Sequence, residues 1–131
     1  MGQKPIQVGK KEKVIGKHVY GNLYECDLNA ISNEEYLKET VINAAKIAKM
    51  HLVDIHSWSF EGPKGGISVI ALISESHISI HSWKEYNYAS VDVYTCGYKS
   101  KPMKAFKYIL ERLKPKKYNL HKVKRLGYKL Y

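Results

Sequence analysis

The stretch GISVIALISESHISIHSWKEYNYASVDVYTCG, residues 66–97, decides how the rest of the chain is read. Residues 67–73 hold six apolar side chains in seven, several of them β-branched, which is the composition of a buried strand. Directly after them stand Ser74, Glu75, Ser76 and His77, and further on His81, Trp83, Tyr86 and Cys96. Ionisable side chains at the end of a buried strand cost free energy unless they are paired or used, so this stretch marks a site. The strand is apolar on both faces, with Val69, Ala71 and Ile73 alternating against Ile70 and Leu72. Both faces therefore call for a cover, one from the chain's own helices and one from a second copy.

Working outward, Ser32-x-x-Glu35 reads as a capping box that opens a helix running to about Met50. Leu37, Val41, Ala44, Ala45 and Ala48 form its apolar stripe. A second helix starts at Pro102, buries Met103, Phe106, Ile109, Leu110 and Leu113, and stops at Pro115. Strands are expected at 14–26, 51–60, 67 onward, 88–96 and 118–125, with 27–33 as a turn and 61–66 as a glycine-rich loop. The order lacks the regular strand–helix alternation of a doubly wound sheet. It predicts an α+β two-layer sandwich: an antiparallel sheet with two helices on one face. Pairing of two copies through the open faces gives a four-layer αββα dimer.

At 131 residues the chain makes one domain, residues 14–131, behind a polar arm at 1–13 that reads as flexible. No apolar run is long enough to span a membrane and the start lacks a signal-peptide core, so a cytoplasmic, membrane-free protein is expected. Two cysteines seventy positions apart argue against a disulfide framework or a zinc site. The net charge of +10 raises the alternative of a basic nucleic-acid-binding domain. The lysines gather in the arm and near the C-terminus without the repeated aromatic pattern of a stacking platform, so a solvated surface and no nucleic-acid partner is the favoured reading.

The residues at the centre admit several chemistries. Ser76 lacks the Gly-x-Ser-x-Gly turn of a hydrolase nucleophile. His77 and His81 share parity in a strand but have no clear third ligand, so no metal is expected. Structural histidines held by carboxylate or backbone partners are the bland reading. The ordered run Ile-Ser-Glu-Ser-His-Ile-Ser-Ile-His-Ser-Trp-Lys-Glu-Tyr, followed by Tyr-Ala-Ser-Val-Asp-Val-Tyr-Thr-Cys-Gly, closely resembles the signature of prokaryotic S-adenosylmethionine decarboxylase proenzymes. Gly-Lys-His at 16–18 and Leu-Tyr-Glu-Cys-Asp at 23–27 extend the resemblance, which weakens at Lys124-Arg125-Leu126-Gly127.

That resemblance implies a self-processing, pyruvoyl-dependent decarboxylase of polyamine biosynthesis. Ser76 Oγ attacks the Glu75 carbonyl, and the resulting ester is cleaved by β-elimination. The products are a β chain, 1–75, and an α chain, 76–131, whose first residue becomes the pyruvoyl group that holds the substrate amine as a Schiff base. By the same resemblance His81 and Ser68 assist processing, and Cys96 is the proton donor to the α-carbon. Glu25 and Glu85 face a cationic substrate, and Tyr24 and Phe60 sandwich an adenine. The stacking pair favours S-adenosylmethionine, decarboxylated to supply aminopropyl groups for spermidine. Lys84 in place of a common proline and a long 60–66 loop keep open the family's crenarchaeal branch, which converts arginine to agmatine. Strand parity puts Ser76 and His81 on opposite faces, and Ser68, eight residues back from Ser76, lies ~26 Å away along an extended strand. The expectation is a homodimer in which each site takes Ser68, His81, Phe60 and Glu85 from the neighbouring copy.

Overall fold

The computed structural model describes residues 14–74 and 76–128. The expected N-terminal arm and Glu75 lie outside the described residues. The elements in chain order are β1 (Ile15–Tyr24), α1 (Leu28–Ile31), α2 (Glu34–Ile47), β2 (Leu52–Phe60), β3 (Gly66–Ile73), β4 (Ser76–Trp83), a 3₁₀ turn (Lys84–Tyr86), β5 (Tyr88–Thr95), α3 (Pro102–Leu113), β6 (Lys117–Tyr118) and β7 (His121–Leu126).

The strands form one seven-stranded sheet in the order β2-β3-β4-β5-β1, with β6 and β7 both pairing along the outer edge of β1. Every pairing is antiparallel. β1 and β2 therefore run parallel at opposite sides of the four-strand meander, and the connection between them must cross the sheet. Helices α1 and α2 make that crossing. α3 makes the second, from β5 over β1 to β7. Both crossings use the same face, which gives the expected α+β two-layer sandwich.

Local chemistry explains the boundaries. The segment read as a turn at 27–33 instead holds α1, because Asp27 Oδ1 accepts the Asn29 N–H at 2.9 Å and caps a single helical turn. Ser32 is then occupied as the C-cap of α1, and Asn33 takes over as N-cap of α2, its Oδ1 accepting the Tyr36 N–H at 2.9 Å. Pro102 is the first residue of α3, and Lys114 ends that helix in the left-handed conformation just before Pro115. Gly62, with φ of 112°, supplies the turn between β2 and β3.

Between helices and sheet lies the core: Leu37, Val41 and Ala44 of α2, Phe106, Ile109 and Leu113 of α3, and Val69, Ala71, Ile78, Ile80, Val91 and Val93 of the sheet, all fully buried. Arg112 ties the helices together, lying 3.8 Å over the Tyr36 ring and donating to Thr40 Oγ1 at 3.0 Å. Among the described residues no layer covers the sheet's other face, and Tyr24, Trp58, Phe60, Leu72 and Val123 are exposed there.

Candidate active site

The apolar run does not continue as one strand through Ser76. β3 ends at Ile73, the chain reverses, and β4 begins at Ser76 directly opposite Ile73. On its other side Ser76 pairs with Thr95, the last residue of β5, so that Cys96 follows immediately. Ser74 N–H, in the turn, donates to the His51 carbonyl at 3.0 Å. Ser76 Oγ is buried and has no hydrogen-bond partner among the described residues. It borders a cavity of about 160 Å³ that His51, Ile73, Ser74, Thr95, Gly97 and Ser100 also line. A buried hydroxyl left without a partner is costly, which singles Ser76 out within the hairpin.

The loop after Cys96 is held by a small polar network. Thr95 Oγ1 and Ser100 Oγ lie 2.8 Å apart, Gly97 N–H donates to Thr95 Oγ1 at 3.0 Å, and Ser100 Oγ–H donates to the Gly97 carbonyl at 2.8 Å. This fixes the backbone on both sides of half-buried Cys96. The other thiol, Cys26, is buried among core residues, and burial pushes its pKa up to about 11, so it is inert at neutral pH.

The remaining candidate residues stand at the opposite end of the sheet. Across its open face runs one lateral row, Phe60, Gly66, Trp83, Tyr88 and Tyr24. Trp83 stacks on Tyr88 at 5.3 Å and Tyr88 on Tyr24 at 5.6 Å. The Tyr88 hydroxyl donates to Asn22 Oδ1 at 2.6 Å. One row inward lie Ser68 and His81, paired across β3 and β4, with 2.8 Å between Ser68 Oγ and His81 Nδ1. Glu85 sits on the 3₁₀ turn beside this row. Glu25 follows Tyr24 in the left-handed conformation with φ of 53°, and its N–H donates at 3.0 Å to the carbonyl of Asn87, itself left-handed at φ of 50°. Each such residue stores roughly 1–2 kcal/mol of strain, a cost that concentrates at functional positions.

The candidates therefore fall into two groups. Ser76 and Cys96 occupy one end of the sheet, while Tyr24, Glu25, Phe60, Ser68, His81 and Glu85 occupy the other. His81 is five residues from Ser76 along β4 and faces the open side, so the two are separated by roughly 17 Å. The extended-chain placement of Ser68, ~26 Å from Ser76 and on its face, is replaced by the hairpin: the turn changes the parity and sets Ser68 against His81 on the open face. Tyr24 and Phe60 stand in one row but four strands apart, roughly 19 Å at ~4.8 Å per strand, so one chain cannot clamp a single ring between them.

Several residues of both ends escaped the reading of the sequence. His51, Thr95 and Ser100 surround Ser76, and their only signal was the polar cluster Thr95-Cys96-Gly97 followed by Ser100. Asn87, whose side-chain oxygen is buried without a partner among the described residues, belongs with the Glu25 end. In the middle of the open face His18 Nε2 meets Asp92 Oδ1 at 2.8 Å, and burial holds His77 below the ordinary histidine pKa despite the Asp92 charge. No cluster of three metal-ligating side chains occurs among the described residues.

Three comparisons bear on this arrangement. The model of the S-adenosylmethionine decarboxylase family matches residues 17–126. The arginine decarboxylase proenzyme of Hyperthermus butylicus is 54% identical over 123 residues, covering 91% of this chain and 87% of that protein. The crystal structure of the adenosylmethionine decarboxylase from Aquifex aeolicus superposes with a TM-score of 0.79 at 33% identity, over 92% of this chain and 98% of that one. The chain belongs to the S-adenosylmethionine decarboxylase family and is a pyruvoyl-dependent decarboxylase.

Proposed function

We propose that the chain cleaves itself between Glu75 and Ser76 and then decarboxylates arginine to agmatine, in the cytoplasm, as part of polyamine biosynthesis. The observation that carries the processing step is the buried, partnerless Ser76 hydroxyl at the start of β4. Its Oγ attacks the Glu75 carbonyl carbon while its proton passes to a base, and the Glu75–Ser76 amide nitrogen is expelled, leaving an ester. Loss of the Ser76 α-proton then breaks the Cβ–Oγ bond and frees the Glu75 carboxylate. The dehydroalanine left on the α chain takes up a proton at Cβ to become an imine, water hydrolyses the imine with loss of ammonia, and the α chain begins with a pyruvoyl group. That group fits the site, because the pocket around Ser76 is small and lined in part by the polar residues His51, Ser74, Thr95 and Ser100. When formed, it supplies the electron sink for loss of CO₂ from an α-amino acid.

The chain's own residues do the rest. Cys96, one residue past the partner of Ser76 and held by the Thr95–Ser100 network, donates the proton to the α-carbon. Ser68 and His81 act as one hydrogen-bonded pair in processing. Because that pair and Ser76 lie at opposite ends of one sheet, a second copy supplies it. Two sheets stacked through their open faces with strands reversed bring the Ser76 end of each chain near the His81 end of the other. The exposed Trp58, Phe60 and Leu72 support such stacking. In this dimer Tyr24 and Glu25 travel with Phe60, His81 and Glu85, not with Ser76.

Substrate choice rests on the relative named as an arginine decarboxylase proenzyme. The stacked Tyr24–Tyr88–Trp83 platform beside the Glu25 and Glu85 carboxylates also suits a guanidinium, which stacks on aromatic faces and pairs with carboxylates. A second reading, S-adenosylmethionine decarboxylation toward spermidine, is favoured by the family model and the Aquifex structure. Release of CO₂ from carboxyl-labelled arginine and carboxyl-labelled S-adenosylmethionine, assayed side by side on processed protein, tests the proposal. Turnover of arginine is expected, and turnover of S-adenosylmethionine alone overturns it. Borohydride-trapped label on the smaller of two fragments tests the pyruvoyl group itself.

A further inference from the structure

A second, larger cavity adjoins the pocket around Ser76 and lies on the side of the sheet away from the Tyr24–His81 group. It encloses about 710 Å³ between the start of α3, the 98–101 loop and the helix-side faces of β1 and β7. A volume in the range ~300–1,000 Å³ is that of small-molecule sites. Lys17, Lys49, Lys99, Lys101, Lys122 and Lys124 line it, and no Asp or Glu does. None of the six makes an ion pair among the described residues.

These lysines come from β1, the end of α2, the loop before α3, and β7, so tertiary structure, not a run in the sequence, assembles them. Lys17 and Lys124 are direct cross-strand partners, an arrangement that like charges destabilise. Lys101 is the N-cap of α3 and caps it with no side-chain hydrogen bond, and the first turn of this 12-residue helix carries no acidic residue. The positive end of the helix dipole therefore adds to the lysine field. The floor and rim include the apolar Val19, Pro102 and Met103, with Tyr98 74% exposed at the side.

We propose that this cleft binds a small polyphosphorylated ligand of the nucleotide class. Its phosphates lie among the six ammonium groups, and its planar base lies against Tyr98 and Met103. Six like charges converging on one concave surface repel one another until a polyanion neutralises them. A cleft of this volume holds a nucleoside di- or triphosphate, whereas a nucleic-acid strand requires a continuous groove with several stacking rings. Lys49, Tyr98, Lys99 and Ser100 also wall the pocket around Ser76, so the ligand sits next to the cleavage site without entering it.

Calorimetric titration at ~0.15 M salt, where exposed charges are screened beyond ~8 Å, with ATP, AMP, tripolyphosphate and a short single-stranded DNA tests the proposal. Binding is read on the wild type and on Ser76→Ala, which keeps the measurement independent of processing and decarboxylation. The expectation is one ATP per chain, with AMP weaker and tripolyphosphate competing. Lys17→Gln with Lys124→Gln should weaken ATP by at least about tenfold, while Lys64→Gln with Lys116→Gln, both at the Tyr24 end of the sheet and outside the cleft lining, should not. Both double variants are checked for an unchanged melting transition. Lys122→Glu, at an exposed strand position, serves as a second probe if the first pair unfolds. Absence of saturable ATP binding overturns the proposal, as does equal weakening by the distant pair. DNA binding that ATP fails to displace also overturns it, in favour of a nucleic-acid surface.

Discussion

His81→Ala and Ser76→Ala should rescue each other in mixed dimers. Within one chain His81 is five residues from Ser76 on the opposite face of β4, roughly 17 Å at ~3.3 Å per residue, against a hydrogen-bond reach of ~3 Å. No rotamer of histidine closes that gap. Each variant alone should stay whole, the first for want of the processing pair and the second for want of the nucleophile. In a mixed dimer one composite site joins Ser76 of the His81→Ala chain to His81 of the Ser76→Ala chain and is complete, while the other site lacks both. With equal co-expression and random pairing, about half of the His81→Ala chains sit in mixed dimers and should be cut. Different tags on the two chains let a denaturing gel show which is cleaved, and tandem purification shows that mixed dimers form. Purified mixed dimers in which the His81→Ala chain stays whole would refute the division of the site. Cleavage of wild type at dilutions where it sediments as a monomer would refute it as well.

Cys96→Ser should leave two fragments on a gel but lower the decarboxylation rate by ~10²-fold or more, the scale of a lost general acid, which single-turnover CO₂ release measures. Burial holds the folded-state pKa of His77 below its usual value of ~6.5, so its contribution to stability is complete above that pH and is lost as pH falls through the depressed value. The melting temperature should therefore drop between neutral pH and about pH 5, and less steeply in His77→Gln, followed by circular dichroism. Phe106→Ala removes a fully buried ring packed near Gly21 and Asn119, and should cost about 3–5 kcal/mol in urea unfolding. Gly66→Ala should impair folding more than its size suggests, because an added Cβ runs into the Ser82 carbonyl across the hairpin.

Much of the fold was legible because hydrophobic periodicity is local. The stripes Leu37–Ala48 and Met103–Leu113 placed both long helices, and the alternation in 88–96 placed β5. Short polar caps were legible only in kind: Ser32 and Asn33 are both good N-caps, and the helical turn begun by Asp27 decided between them. The reversal between Ile73 and Ser76 was the harder feature. Two apolar strands joined by a tight polar turn look, in sequence, like one strand with a decorated centre. Neither glycine nor proline marks the turn, so the usual turn signal is missing from the sequence.

That reversal governs how far sequence parity can be carried. Within β4 it holds, and Ser76 and His81 do fall on opposite faces. Across the turn it fails, because a hairpin pairs residues by the sum of their numbers rather than the difference: Ser68 faces His81 and Ile73 faces Ser76. The grouping of Tyr24 with Phe60 was invisible for the same reason, since β1 meets β5 only through pairings more than sixty residues apart. The proposed pairing of two copies rests on the same separation of the two ends. Ser68 and His81 now form one bonded unit instead of two independent residues, so any mechanism that uses either one needs a single act of delivery to Ser76. A monomer would have to fold its own sheet end over end to achieve this, breaking the β3–β4 and β4–β5 ladders that hold the core. In the proposed dimer, two sheets with their strands reversed bring the two ends together while both ladders stay intact.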